Sequence, residues 1–231
     1  MLEAHIVKRR AAFTVDVSLR LEQGERLALF GASSAGKSTV LSCLAGFEDP
    51  DAGEVRFDDL CLFPPPLPLH RRCLAYLTQS DSLFPHLTVG ENVCFGLDGA
   101  ARDGTGKWVA ELRQRLGLDP LWAQPARKVS GGQARRVALA RILARRPPLV
   151  LFDEPFTALD RPTINDLVDA IGEWQRRLGF SLIAVDHRPE ILERLCTRVA
   201  VIEAGRIVQE GSWSEVAEAP ATPLLARLLA S

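Results

Sequence analysis

From residue 13 the chain alternates. Phe13, Val15, Val17, Leu19 and Leu21 are apolar and the residues between them mostly polar, the two-residue period of a strand with one buried face. After a turn at Gly24-Glu25 the pattern changes: the segment 26–30 becomes a short apolar run that stops at Gly31. Leu149-Val150-Leu151-Phe152 and Leu182-Ile183-Ala184-Val185 are apolar throughout, as suits strands covered on both faces in a parallel sheet. Leu74 to Leu77 is predicted as a further buried strand and Val55 to Phe57 as an edge strand. Helices are predicted over 38–44, 108–116, 133–143, 163–178 and 189–195. Arg198–Ile202 and Arg206–Gln209 pair as a hairpin about Ala204-Gly205, and the tail from Ser214 to Ser231 reads as helix broken at Pro220 and Pro223. The proline run 64–68 has too few donors to join a sheet. Strands alternating with helices predict an α/β fold, with a mostly helical insertion over 80–145 that includes a Gly/Asp-rich tract from Asp98 to Gly106.

Composition narrows the picture. Of 231 residues 47% are hydrophobic, and 28 Lys and Arg against 29 Asp and Glu leave a formal charge of −1. That size supports a core without staples, and the balance lacks the basic surplus of a nucleic-acid binder, so no nucleic-acid partner is expected. Cys43, Cys61, Cys73, Cys94 and Cys196 show no paired spacing and read as small buried hydrophobes in a reducing cytosol. No stretch approaches the ~18 apolar residues of a membrane span, and no secretory leader is evident. A single domain over 1–231 in the cytoplasm is expected.

The chemistry begins where the first apolar run ends. Gly31-Ala32-Ser33-Ser34-Ala35-Gly36-Lys37-Ser38 matches G-x-x-x-x-G-K-[ST] between a predicted strand and a predicted helix, the context this phosphate-binding loop requires. Its glycines let backbone N–H groups converge on phosphate at a helix N-terminus. Lys37 would reach the β and γ phosphates and the Ser38 hydroxyl a Mg²⁺ ion; Thr39 belongs to the same set. The run 149–152 leads into Asp153-Glu154, two carboxylates at the sheet edge where open α/β folds bind ligands. Asp153 is the candidate for the metal and Glu154 for polarising an attacking water.

Val129-Ser130-Gly131-Gly132-Gln133 precedes a predicted helix 20 residues before Asp153, and with it the chain resembles an ATP-binding cassette (ABC) ATPase. Gln79 matches that family's Q-loop, Ala158-Leu159-Asp160 its D-loop and His187 its switch histidine, so the motifs cover nearly the whole chain. The resemblance implies a P-loop NTPase of RecA-like type. Its parts are a nucleotide-binding core (1–79 and 146–215) with a parallel sheet and an N-terminal antiparallel β subdomain, a helical signature subdomain (80–145) and a short tail (216–231). It further implies MgATP hydrolysis by a head-to-tail dimer, homomeric or of two cassettes. In it Ser130, Gly131, Gly132 and Gln133 of one subunit would contact the γ-phosphate held by Lys37 of the other. His187 would hold the water and Glu154 in line, and Gln79 would sense Mg²⁺. The segment Ser80 to Leu97 resembles the surface that receives a transmembrane permease, which places the chain on the inner face of the membrane. Leu83-Phe84-Pro85-His86 and Thr88-Val89 with Glu91-Asn92 resemble importer subunits, such as those for molybdate or thiamine, which also use a substrate-binding protein.

Some positions depart from the family pattern. The aromatic residue that stacks on adenine in relatives would fall near Lys8 to Arg10, so Phe13 stands as the adenine contact or as core packing. Val129 replaces a more usual leucine. Asp186 precedes His187, either favouring its protonated form or, by strand alternation, facing away, the reading preferred here. Arg135-Arg136 and Arg145-Arg146 read as ordinary helix-surface and helix-end charge, and the four tryptophans as packing. The rival readings are a non-transport ABC ATPase of DNA repair or translation, an exporter subunit, a small-molecule kinase, and a nucleotide-binding regulatory module without turnover, against which Lys37, Asp153, Glu154 and His187 all stand. The kinase would not need the 129–133 signature.

Overall fold

In a computed structural model the structure describes residues 1–80, 83–99 and 106–229; Asp81, Ser82 and most of the Gly/Asp-rich tract lie outside these, as does the end of the tail. Two sheets form the frame. The first has the order β2-β1-β4-β5, from β1 (Leu2–Arg9), β2 (Thr14–Leu21), β4 (Ala52–Phe57) and β5 (Leu60–Phe63), all antiparallel. The second has β3 (Arg26–Phe30), β6 (Leu74–Leu77), β7 (Leu149–Asp153), β8 (Ser181–Val185), β9 (Arg198–Glu203) and β10 (Arg206–Gly211) in the order β10-β9-β3-β8-β7-β6. It is parallel except for the terminal β9/β10 hairpin.

The predicted alternation of β2 is borne out, since Val15, Val17, Leu19 and Leu21 are buried and the residues between them exposed. β7 and β8 are buried at every position, and the period of two divides them between two cores. Val150, Phe152, Leu182 and Ala184 face one apolar cluster with Leu139, Ile171 and Trp174. Leu149, Leu151, Ile183 and Val185 face another, shared with Leu41, Leu44 and the antiparallel sheet through Ile6, Val15 and Leu21. With about 1.5 to 3 kcal/mol for each large side chain buried, these strands anchor the segments that leave their C-terminal ends.

The helices are α1 (Lys37–Ala45), α2 (Val89–Val93), α3 (Lys107–Arg115), α4 (Gly131–Ala144), α5 (Arg161–Leu178), α6 (Pro189–Leu195), α7 (Trp213–Glu218) and α8 (Pro223–Leu229). Each predicted helix is present to within a few residues. Pro223 opens α8 rather than breaking a helix, since proline fits a first helical position that needs no N–H partner. Two strand assignments are corrected. Val55–Phe57 belongs to an interior strand paired on both sides, while Leu74–Leu77 is an edge, paired only with β7 and half-buried over most of its length. Cys43, Cys94 and Cys196 are buried as expected, but Cys61 is half-buried and Cys73 exposed. Among the described residues no helix is long and apolar enough to cross a membrane.

Candidate functional site

β3 ends at Phe30 and the phosphate loop turns off it directly. Gly31 has φ 151°, and a β-carbon there would stand 2.2 Å from the Ile202 carbonyl oxygen, so only glycine passes this strand. Gly36, at φ 108°, caps α1 with no side-chain hydrogen bond, which leaves the first N–H groups of that helix to an incoming anion. Lys37 begins the helix and curls back over the loop, its Nζ donating to the carbonyls of Gly31 (2.8 Å) and Ala32 (2.7 Å). Burial lowers its pKa, and the charges of Asp153 and Glu154 act in the opposite sense.

Asp153 is the last residue of β7, and its carboxylate joins two elements. Oδ1 accepts from the Ser38 hydroxyl at 3.2 Å and Oδ2 from the Tyr76 hydroxyl at 3.2 Å. Burial raises the Asp153 pKa, against these two hydrogen bonds. The tyrosine is held protonated by its own burial, which lifts its pKa to about 12. Sequence reading missed Tyr76, because no local motif marks a residue whose partner lies 77 positions away. Glu154 follows at φ 49°, a left-handed backbone that costs a residue with a β-carbon of order 1 to 2 kcal/mol. Its N–H donates to Val185 O at 2.9 Å, and its Oε2 accepts from Gln79 Nε2 at 3.1 Å. The structure thus brings Lys37, Ser38, Gln79, Asp153 and Glu154 to one edge of the parallel sheet.

His187 stands just past β8 with its side chain 68% exposed. The expectation that Asp186 faces away from it is corrected. The Asp186 carboxylate is buried, accepts from the Arg188 guanidinium twice at 2.9 Å, and lies 3.5 Å from His187 Nδ1. Asp186 follows β8 rather than lying within it, so strand alternation does not govern its direction. Phe13 precedes β2 instead of lying in it. It packs against the apolar cluster under the antiparallel sheet and also lines a cleft of about 260 Å³ with Arg10, Ser34, Gly36, Lys37 and Thr39. Arg10 was not singled out by motif; it donates to Thr39 Oγ1 at 3.0 Å and to Glu48.

The signature segment starts α4. Ser130 is the N-cap: its Oγ accepts from Gln133 N and Gln133 Oε1 accepts from Ser130 N, a reciprocal capping box. Gly132 abuts the D-loop, where a β-carbon would meet Ala158 O at 2.9 Å. Asp160 is the N-cap of α5, its Oδ1 accepting from Thr163 N at 2.8 Å. The surface reading of Arg135 is corrected, for this side chain is fully buried.

These positions, a phosphate loop at the start of α1 and paired carboxylates at the end of the neighbouring β7, define a nucleotide-binding P-loop fold. The chain belongs to the family described as ABC transporter, whose pattern it matches over residues 14–157. It is 38% identical over 218 residues to the molybdate/tungstate import ATP-binding protein WtpC of Thermococcus kodakarensis, covering 93% of this chain and 65% of that one. It is 42% identical over 207 residues to the Fe(3+) ions import ATP-binding protein FbpC 1 of Rhodococcus jostii, covering 88% of this chain and 59% of that one. The chain therefore spans about 60% of the length of these relatives. Its fold superposes with TM-score 0.80 on a dimeric post-hydrolysis structure of the ATP-binding cassette MJ0796 bound to ADP and Pi, at 25% identity, covering 92% of this chain and 98% of that one.

Proposed function

We propose that the protein is the ATP-hydrolysing subunit of an ABC importer, acting as a dimer beneath separate transmembrane permease subunits and taking its energy from two MgATP. The observation that carries this reading is the junction of Glu154 with Gln79 at the edge of the sheet, beside the Ser38–Asp153 pair. The donors there, a hydroxyl and a buried carboxylate, are the hard oxygens that Mg²⁺ takes in company with nucleotide phosphates, so Ser38 and Asp153 fit the ion and Gln79 adds an amide oxygen. Bound there, Mg²⁺ supplies neutralisation of phosphate charge.

The protein's own groups supply the rest. Lys37 leaves its loop carbonyls for the β and γ phosphates. Glu154 takes the proton of the attacking water while Gln79 fixes its carboxylate, and the exposed His187 reaches the γ-phosphate. Phe13 and Arg10 line the cleft beside the phosphate loop, where the base of the nucleotide would lie. The α4 start, with Ser130, Gly131, Gly132 and Gln133, has no second phosphate loop to serve in this chain, and the dimer of a related cassette supports its use by a second copy. The helical part, proposed as residues 80–145, carries the permease contact. A groove of about 650 Å³ between it and the core is lined by Phe84, Phe95, Leu74, Arg141 and Arg145, and half of Phe95 is exposed. On this reading the chain works at the inner membrane face. Relatives named for an oxyanion and for a metal ion match at similar identity, so the cargo class proposed is a small solute.

Glu154→Gln tests the reading. Turnover is expected to fall by about 10² to 10⁴ while ATP binding persists and ATP-dependent dimer accumulates on size exclusion; undiminished turnover would remove Glu154 from this role.

A further inference from the structure

Arg135 lies two residues beyond the signature, on α4, and is one of the largest fully buried side chains among the described residues. A guanidinium keeps its charge at any accessible pH, and burying it costs several kcal/mol unless its donors are met. Here they reach the main chain of two other functional segments. Nε donates to Pro155 O at 2.8 Å, Nη2 to Asp153 O at 3.0 Å and to Glu154 O at 2.5 Å, and Nη1 to Thr78 O at 2.7 Å. Three successive carbonyls at the exit of β7 thus turn toward one cation. The fourth belongs to the residue immediately before Gln79.

Successive carbonyls along an extended strand point to opposite sides, so gathering those of 153, 154 and 155 requires the chain to break from β geometry at this point. It does so at Glu154, whose φ is 49°. Such a conformation persists only where its surroundings over-determine it, and the Arg135 fork is the charged part of those surroundings. The same fork holds the peptide ahead of Gln79, and Gln79 hydrogen-bonds the Glu154 carboxylate.

We propose that Arg135 is a positioning residue for hydrolysis: it fixes the left-handed turn at Glu154 and the approach of Gln79, and ties both to the helix that carries the signature. This inference rests on the role of Glu154 proposed above. It assigns to Arg135 an effect on turnover exerted through Glu154 rather than through nucleotide contact.

The test is a double-mutant cycle on purified protein, with turnover, ATP affinity and melting temperature measured for Glu154→Gln, Arg135→Lys, Arg135→Met and the Arg135→Lys/Glu154→Gln pair. A misplacement of about 1 Å costs on the order of 10²-fold, so Arg135→Met should lose about that in kcat with ATP affinity within threefold. Arg135→Lys, which keeps the charge but not the planar fork, should recover part of it. In the pair, the lysine change should add little to the loss from Glu154→Gln, because two residues acting as a unit do not multiply. If Arg135→Met does not fold, the lysine variant and the pair carry the test alone. Wild-type kcat in Arg135→Lys, or losses that multiply in the pair, would overturn the proposal and leave Glu154 its role. Full turnover in Glu154→Gln would instead overturn the role of Glu154 itself.

Discussion

α1 and α4 both begin at glycine-rich motifs, and they begin differently. α1 has Gly36 at its cap and no side chain bonded to its first N–H groups. α4 has Ser130 at its cap, with the Ser130 and Gln133 N–H groups already bonded inside the capping box. The sequence invites the same reading of both, an anion held by open backbone donors. The structure separates them. At α1 the donors, the dipole and Lys37 converge on one place, and each charge-assisted hydrogen bond there is worth about 1.5 to 3 kcal/mol. At α4 the N–H groups of Gly131 and Gly132 remain with the helix dipole, worth about 0.3 to 1 kcal/mol at an exposed terminus. On the function proposed above, the first start retains a nucleotide within one chain, whereas the second has fewer open donors and no lysine and serves the nucleotide of a second copy.

The strongest way to break the comparison is to give α1 the cap of α4. Gly36→Ser places a β-carbon 2.9 Å from Val15 Cγ2 at φ 108°, a strain of about 1 to 3 kcal/mol. The loop relieves that strain by shifting its N–H groups, and ATP binding must restore it, so at about 1.4 kcal/mol per tenfold ATP affinity should fall by up to about 100-fold, measured by calorimetric titration. An unchanged affinity would mean that the open start of α1 is not what holds the phosphates.

A gentler break acts on the other start. Gly132→Ala sets a methyl group 2.9 Å from Ala158 O, backbone that cannot rotate aside, and so pushes the signature off the D-loop. A single chain should bind ATP within about threefold of wild type, while ATP-dependent dimerisation and turnover fall by about 10- to 100-fold, by the sensitivity of catalysis to displacements near 1 Å. Equal losses in binding and turnover would show that the two starts are not independent.

Much of this site was legible because its chemistry is local. A phosphate loop is eight consecutive residues, and Asp153-Glu154 announces itself by following an apolar run. The parallel core was equally open to reading, since Leu149–Phe152 and Leu182–Val185 have no polar break. What stayed hidden was non-local. Tyr76 reads as one more residue of a strand until β6 pairs with β7 and sets its hydroxyl on Asp153. Arg135 sits in a run of arginines whose neighbour Arg136 bonds Leu116 O within the helical region, and only the packing of α4 on β6 and β7 tells them apart. The position of β4 was misread because strand order is a property of pairing. β1 went unread although Leu2, Ala4 and Ile6 alternate, because alanine and the charged Lys8-Arg9 end dilute the signal.

A third helix start completes the comparison with the smallest effect. α5 is capped by Asp160, a charged acceptor where α4 has a neutral one, and hydrogen bonds from the side chain and backbone of Thr163 hold its pKa below the ordinary aspartate value. A carboxyl whose folded pKa lies below its unfolded value of about 3.9 contributes stability that is present in full above the unfolded value. That contribution disappears as pH falls through the folded value. Asp160→Asn keeps an acceptor for Thr163 N but not the charge, so the variant should be less stable than wild type at pH 6. The difference should close in acid, as pH falls through the folded value. Urea midpoints at pH 6, 4 and 2.5 measure this, and a difference that does not change with pH would assign the cap to hydrogen-bond geometry alone. In that event the three starts would differ only in which donors they leave open, and charge would enter the comparison solely at Lys37.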